Sequence, residues 1–453
     1  MDAQKYAKQL HQSYPLYKEN TLKHRRFKHK DIVPLIKKLS AHADFDVVVA
    51  GQSVEGKDIY HITYGNGERV LLLWSQMHGD EPTSTMALFD IFNFLSADDF
   101  EHKDLRRKLR KELSIHFIPM LNPDGADKFQ RRNAMNVDLN RDAVKLEFPE
   151  SKILKRIREE TRADFGFNLH DQSKYYNVGL SANTAAVSFL APAFNYEKDI
   201  NTTREEAMQL IVVMNEAVQQ FLPGHVGRFN DDFEPRAFGD NIQKWGTSTV
   251  LVEAGGLRGD EEKQINRQIH FCMLLSAFIS LAEGTYTSKD VTTYHEIPEN
   301  SRQMADLIIR NLRMPTPDGN KTVDISFKSE EIQNEDATDY YTKANIDDIG
   351  DLSTSYGYRE FNAAGLSLKM GKVTSIEVVD KVEVDNWLKK GYGDLILPNA
   401  DALFDAHKLP VNFHESEKEV DTQLKPGKNP SFFLVKDGKL RYAVVNGRLI
   451  SLY

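Results

Sequence analysis

Two short segments pair a histidine with a glutamate three residues on, His78-Gly-Asp-Glu81 and His414-Glu-Ser-Glu417. A neutral imidazole and a carboxylate at that spacing can grip one face of a zinc ion, whose catalytic sites take three protein ligands and keep a fourth position open. The spacing alone is cheap, as its second occurrence shows. The company each copy keeps is different. His78 and Glu81 follow an apolar run, RVLLLWS (69–75), and the run LSIHFIP (113–119) leads into NPDG (122–125), Arg131, Arg132, Asn133 and VDLNRD (137–142). DFGFNL (164–169) ends in His170, and STVLV (248–252) ends in Glu253 with Gly255-Gly256 behind it. Four apolar runs thus deliver two histidines, two glutamates and two or three arginines to their C-terminal ends, where open α/β sheets keep their sites. Charged groups there are costly to bury unless paired or bound to metal. His170 taken by itself reads equally as a satisfied core histidine. His414 stands in a charged stretch without such neighbours and reads as plain surface.

Such residues need a sheet to hold them. The segment DIVPLIKKLSAH (31–42) predicts a short amphipathic helix with Pro34 in its first turn. Residues 46–50 and 58–64 alternate as half-buried strands do, and Asn66-Gly67 turns the chain into 69–75, whose unbroken apolar run suits a central strand buried on both faces. Helices over 83–95, 150–161, 203–221 and 263–282 alternate with strands over 113–119, 164–169 and 248–253, and Thr202-x-x-Glu205 reads as a capping box. The alternation predicts an α/β fold, a mainly parallel mixed sheet covered by helices on both faces. After residue 285 or so the pattern changes. A helix is expected over 301–313, a polar acidic loop over 316–350, and a closing three-stranded meander that turns at Asp437-Gly438 and Asn446-Gly447. The expected organisation is a catalytic domain over 1–290 and a smaller β-rich accessory domain over 291–453, to which no chemistry is assigned.

Charge and composition exclude several classes. Among 453 residues, 58 Lys and Arg against 67 Asp and Glu leave a net charge of −9, so no overall basic field exists to hold nucleic acid or an anionic membrane. The basic cluster KDLRRKLRK (103–111) is interleaved with leucine and reads as a solvated helix face. The nearly apolar run Phe271 to Ala282 falls short of the ~20 residues that span a bilayer. The start, MDAQKYAKQL, has no apolar signal-peptide core, and the one cysteine, Cys272, forbids an intrachain disulfide or a thiolate zinc cluster. The expectation is a soluble cytoplasmic protein, or an exported one if a signal has been removed upstream.

The set HGDE, NPDG, R-x-N-x-x-x-V-D-L-N-R, NLH and VEAGG, in that order between residues 45 and 285, resembles the zinc carboxypeptidase family. The resemblance implies one zinc per chain bound by His78, Glu81 and His170. It implies an oxyanion-stabilising role for Arg131, with Arg132 as the competing neighbour, and a grip on the substrate's terminal carboxylate by Asn140 and Arg141. Glu253 would be the general base and acid. The implied partner is a peptide with a free C-terminal carboxylate, cell-wall peptides among the candidates. The chain departs from the family in two places. The carboxypeptidases carry an active-site tyrosine about twenty residues before the catalytic glutamate, yet no tyrosine occurs here between Tyr196 and Tyr286, which leaves Tyr175 and Tyr176 as candidates. Asp171 follows the third ligand where a small polar residue is usual, and could orient His170 or face water. In EPRAFGDN, Arg236 and Asp240 are expected to pair with each other. Two alternatives stay open: a zinc amidohydrolase acting on N-acyl amino acids, as in the related aspartoacylase group, and an inactive protein whose cleft only binds peptides.

Overall fold

A computed structural model describes residues 2–379, 381–398 and 400–453. The chain divides into two compact units, Met1–Arg302 and Gln303–Tyr453. The first opens with α1 (Ala3–Ser13), α2 (His29–Leu39), β1 (Phe45–Gln52), β2 (Asp58–Tyr64), β3 (Arg69–Ser75), α3 (Thr83–Leu95), α4 (Lys103–Glu112) and β4 (Leu113–Ile118). It continues with α5 (Pro123–Asp127), α6 (Pro149–Thr161), β5 (Phe165–Asp171), β6 (Asn177–Val178), β7 (Val187–Leu190), α7 (Thr202–Gln219), β8 (Val226–Arg228) and α8 (Phe238–Lys244). β9 (Ser248–Ala254), α9 (Gln264–Glu283), α10 (Val291–Glu296) and β10 (Asn300–Ser301) complete it.

Eight strands form one mixed sheet in the order β1-β2-β4-β3-β5-β9-β7-β8. Its centre, β4-β3-β5-β9, is parallel, while β1, β2 and β7 join by antiparallel pairing. The unbroken apolar run of β3 works as expected. Leu71 and Leu73 enter the core shared with α3, α7 and α9, and Leu72 and Trp74 enter the opposite core, which contains Ile153 and Leu154 of α6 and Phe238 of α8. The 20-residue α9 is buried among α1, α3 and α7, with Arg267 inside the core paired to Asp90 of α3, so this helix, long and apolar enough to suit a membrane span, is the core of this unit. β3 sends its chain to β4 on one side, and β5 lies on the other, so the strand order reverses where ligand crevices form in α/β sheets.

Two local expectations change here. Thr202 does not cap α7; the side chain of Asn201 accepts from the Arg204 amide at 2.9 Å. The boundary between units falls at Arg302/Gln303 rather than 290/291, because β10 pairs with β6 and Asn300 donates to Gln172 Oε1 and Ser188 Oγ at 3.0 and 2.9 Å.

The second unit comprises β11 (Met304–Thr316), β12 (Gly319–Gln333), β13 (Tyr340–Gly350), β14 (Tyr356–Asn362), β15 (Ser367–Met370), β16 (Lys372–Ser375), α11 (Lys381–Lys389) and β17 (Tyr392–Ile396). It ends with α12 (Ala400–Ala406), β18 (Asn412–His414), β19 (Phe432–Lys436), β20 (Lys439–Val445) and β21 (Arg448–Ser451). One sheet runs β13-β12-β11-β15-β19-β20-β21 with β14 beside β11, and a small parallel sheet runs β16-β17-β18. The closing meander forms as expected, with Asp437, Gly438, Asn446 and Gly447 all at positive φ, as tight hairpin turns require. The helix expected over 301–313 is instead strand β11. Asn311 at φ 54° marks a bulge where the register slips between Ile309 and Leu312, and both faces of the strand are covered, so the buried residues include 305, 308, 309 and 312, a spacing that imitates a helix. The loop expected over 316–350 is the β12–β13 pair, whose exposed faces carry the acids and lysines while Ile325, Phe327, Ala344 and Ile346 turn inward.

Candidate active site

The chain leaves β3 at Ser75 and turns sharply at Gln76, whose φ is 50° and whose side chain donates to the Gly79 carbonyl at 2.9 Å. This turn lies against the NPDG segment. Asn122 caps α5 by accepting from the Gly125 amide and donates to the Met77 carbonyl, so one side chain joins the two loops. Gly79 must be glycine, since a Cβ there would lie 2.0 Å from the carbonyl carbon of Gly125. Asp124 is structural: fully buried, it accepts from Ser53 Oγ, the Glu55 amide and Lys57 Nζ.

On this support His78, Glu81 and His170 converge, and their ligand-type atoms lie within 4.8 Å of one another. His78 Nδ1 is 2.8 Å from Glu81 Oε1, His170 Nδ1 is 2.6 Å from Glu81 Oε2, and the two Nδ1 atoms are 3.1 Å apart. All three residues are buried, at 1%, 7% and 3% exposure. Asp138, from VDLNRD, faces the other ring nitrogen of His78 at 3.1 Å, the arrangement by which carboxylates orient metal-bound histidines. Burial opposes a charge on His78, but the Glu81 carboxylate and hydrogen bonds to Asp138 and Glu81 outweigh it and raise its pKa to about 9. The field that favours a proton there also favours a cation. Burial lowers the pKa of His170, whose Nε2 has no partner. Two imidazoles and one carboxylate, with no thiolate, form a donor set that fits zinc.

The neighbouring strands add the rest. β5 and β9 are parallel with His170 opposite Glu253, so both side chains leave the same face of the sheet, while Asp171 and Ala254 leave the other. A cavity of about 390 Å³ opens over this face, lined by the three convergent residues, Glu253, Arg131, Asn140 and Arg141. Burial, then the charge of Glu81, push the Glu253 carboxyl well above the usual range. Arg131 donates to Asp138 at 3.1 and 3.2 Å and to Glu81 at 3.1 Å, whereas Arg132 turns away to the Asn136 carbonyl and does not line the cavity. Asn140 Oδ1 accepts from the Phe238 amide at 2.8 Å, which ties the VDLNR turn to α8.

Several pairings differ from expectation. Arg141 has an acidic partner in Glu234, 3.4 Å away. Asp142 is occupied by the amides of Glu147 and Phe148. Arg236 also pairs with Glu234, at 2.8 and 2.9 Å, and not with Asp240. Hydrogen bonds from Arg236 hold the Glu234 carboxyl at about 2. Asp240 lines the cavity, where burial raises its pKa to about 7. Asp171 does not orient the His170 ring; its backbone amide donates to Glu81 Oε2 and its carboxylate accepts from Thr83 Oγ1 at 2.5 Å. Of the two candidate tyrosines, Tyr176 lines the cavity and Tyr175 is buried outside it. Glu234 and Arg302, also on the cavity wall, carried no sequence signal, because they arrive from loops without motif spacing.

Residues 32–205 match the family model for zinc carboxypeptidases. Over that stretch the chain is similar to zinc carboxypeptidases. The matched stretch includes His78, Glu81, Arg131, Asn140, Arg141 and His170, and ends before Glu253. Carboxypeptidase SOL1 of Arabidopsis thaliana is 32% identical over 119 residues, 25% of this chain and 24% of that protein. Carboxypeptidase D of Mus musculus is 30% identical over 172 residues, 33% of this chain and 11% of that protein. The chain therefore spans a minor part of these relatives' length. A metallo-carboxypeptidase from Burkholderia cenocepacia superposes with a TM-score of 0.46 at 17% identity, over 57% of this chain and 70% of that one.

Proposed function

We propose that this protein is a zinc-dependent carboxypeptidase that hydrolyses the C-terminal bond of peptides. The observation that carries the reading is the convergence of His78, Glu81 and His170 beside Glu253, the register partner of His170, at the mouth of a cavity that also holds Arg141. His78, Glu81 and His170 would hold one zinc ion, with Asp138 fixing the His78 ring. Zinc bound there supplies Lewis acidity to water and to the scissile carbonyl. Glu253 takes the proton of the attacking water and passes it to the leaving amine, and its raised pKa suits the donating half of that cycle. Arg131, already beside the convergent ligands, donates to the developing oxyanion; loss of one such donor typically costs ~2.7–4 kcal/mol. Arg141 exchanges its contact with Glu234 for the substrate's terminal carboxylate, which a guanidinium can bind in bidentate fashion. Asn140, held by the Phe238 amide, supports the same group. Among the described residues, Tyr176 is the tyrosine on the cavity wall, placed to approach substrate.

The test is product identification by mass spectrometry from a mixed peptide pool that includes cell-wall peptides, run beside N-acyl amino acids and with and without chelator. Release of single C-terminal residues, abolished by chelator, is the expected result. Cleavage of N-acyl amino acids alone would make the protein an amidohydrolase, and binding without turnover would make it a peptide-binding relative.

A further inference from the structure

The second unit contains a cavity of its own, about 510 Å³, within the ~300–1,000 Å³ of small-molecule sites. Its floor is organised by Asp394, which is 2% exposed. That carboxylate accepts from Asn412 Nδ2 at 3.0 Å, His414 Nε2 at 2.9 Å and Ser431 Oγ. A buried carboxylate is expensive to maintain, and here it fixes one histidine and one asparagine of the cavity wall. His414 keeps its Nδ1 without a protein hydrogen bond. Beside it Asn429 donates to the side-chain oxygens of Asn412 and Asn446, both at 3.3 Å, while its own Oδ1 is buried with no donor. Lys343 and Lys418 line the same cavity and have no carboxylate within ion-pair distance, whereas the two carboxylates on the wall are engaged, Asp421 by Lys428 at 2.7 Å and Glu419 by the Glu415 amide at 3.0 Å. One wall is aromatic, with Tyr341 stacked on His407 at 4.5 Å.

Two unpaired ammonium groups call for an oxyanion, a buried acceptor without a donor calls for a hydroxyl or amine, and a stacked pair of rings gives a flat apolar surface. We propose that the second unit binds a small molecule that presents a carboxylate or phosphate together with a hydroxyl or amine. The site is built wholly from this unit and does not depend on the carboxypeptidase reading.

Isothermal titration calorimetry on the full chain tests this with glycine, lactate and glycerol phosphate, and with glycerol as the neutral control. Saturable binding of at least one of these three carboxylate or phosphate compounds and none of glycerol is expected. The choice among them separates amine from hydroxyl and carboxylate from phosphate. Lys343→Ala/Lys418→Ala, both exposed positions, should weaken that binding at least about tenfold with the melting temperature unchanged. Failure of all three compounds to bind would overturn the proposal, as would equal binding of glycerol. So would binding that survives in the double variant but disappears in Arg141→Ala, since that places the ligand in the first unit.

Discussion

The molecule contains the same four-residue spacing twice and uses it in two unrelated ways. In the first unit the two ends of His78-x-x-Glu81 meet, at 2.8 Å, because the turn after β3 folds them together and β5 delivers His170 against both. In the second unit His414 ends β18 and turns to Asp394, while Glu417 is exposed and takes no part in the cavity wall. His414 is thus neither a metal ligand nor the plain surface its sequence suggests. The difference shows that ligand spacing becomes a site only when a third group arrives from another strand and the whole is withdrawn from water.

The sharpest way to break this comparison is to remove the third group. His170→Ala should abolish stoichiometric zinc in metal analysis, and His414→Ala should retain it. Full zinc in the first variant would mean that spacing alone suffices after all. Next in size, Glu253→Gln keeps the shape but not the proton acceptor, and should lower turnover by ~10²–10⁴ with zinc retained, whereas Glu417→Gln should change nothing. Unimpaired hydrolysis by the Glu253 variant would locate the base elsewhere. The smallest effect sharpens the contrast between the two sets of cations. Arg141→Ala should lower the kcat/KM ratio of free-acid over C-terminally amidated substrates roughly 10- to 150-fold, the equivalent of ~1.5–3 kcal/mol, and Lys418→Ala should leave the ratio as it was. If Arg141 served only to pair with Glu234, its loss would show in melting temperature and not in that ratio.

The legible part of this site is the part that strands carry. His78, Glu81, His170 and Glu253 each stand at or just beyond the end of an apolar run, so their elements and their shared edge could be read from the chain alone. What could not be read are partners that meet through space. Asp138 serves His78 and Glu234 serves Arg141, across |i−j| of 60 for the first pair, and nothing in VDLNRD or EPRAFGDN says which carboxylate goes where. In the second unit the misreadings have two causes. Burial on both faces, together with the bulge at Asn311, gives β11 a helical look, and the sparse inward residues of β12 and β13 hide a sheet under acids.

The register of β5 against β9 carries a further consequence, for which changes the fold can absorb. His170 stands opposite Glu253, with Asn168 and Leu251 one step behind on the same cavity face. Point substitutions elsewhere along β9 leave that alignment alone. A single residue inserted within Ser248–Val252 would instead turn Glu253 through to the side of Asp171 and α3, because side chains in a strand alternate with a period of two. Length variation in this lineage should therefore collect in loops such as the one between α8 and β9, while β9 itself behaves as a ruler whose graduations cannot be shifted by one.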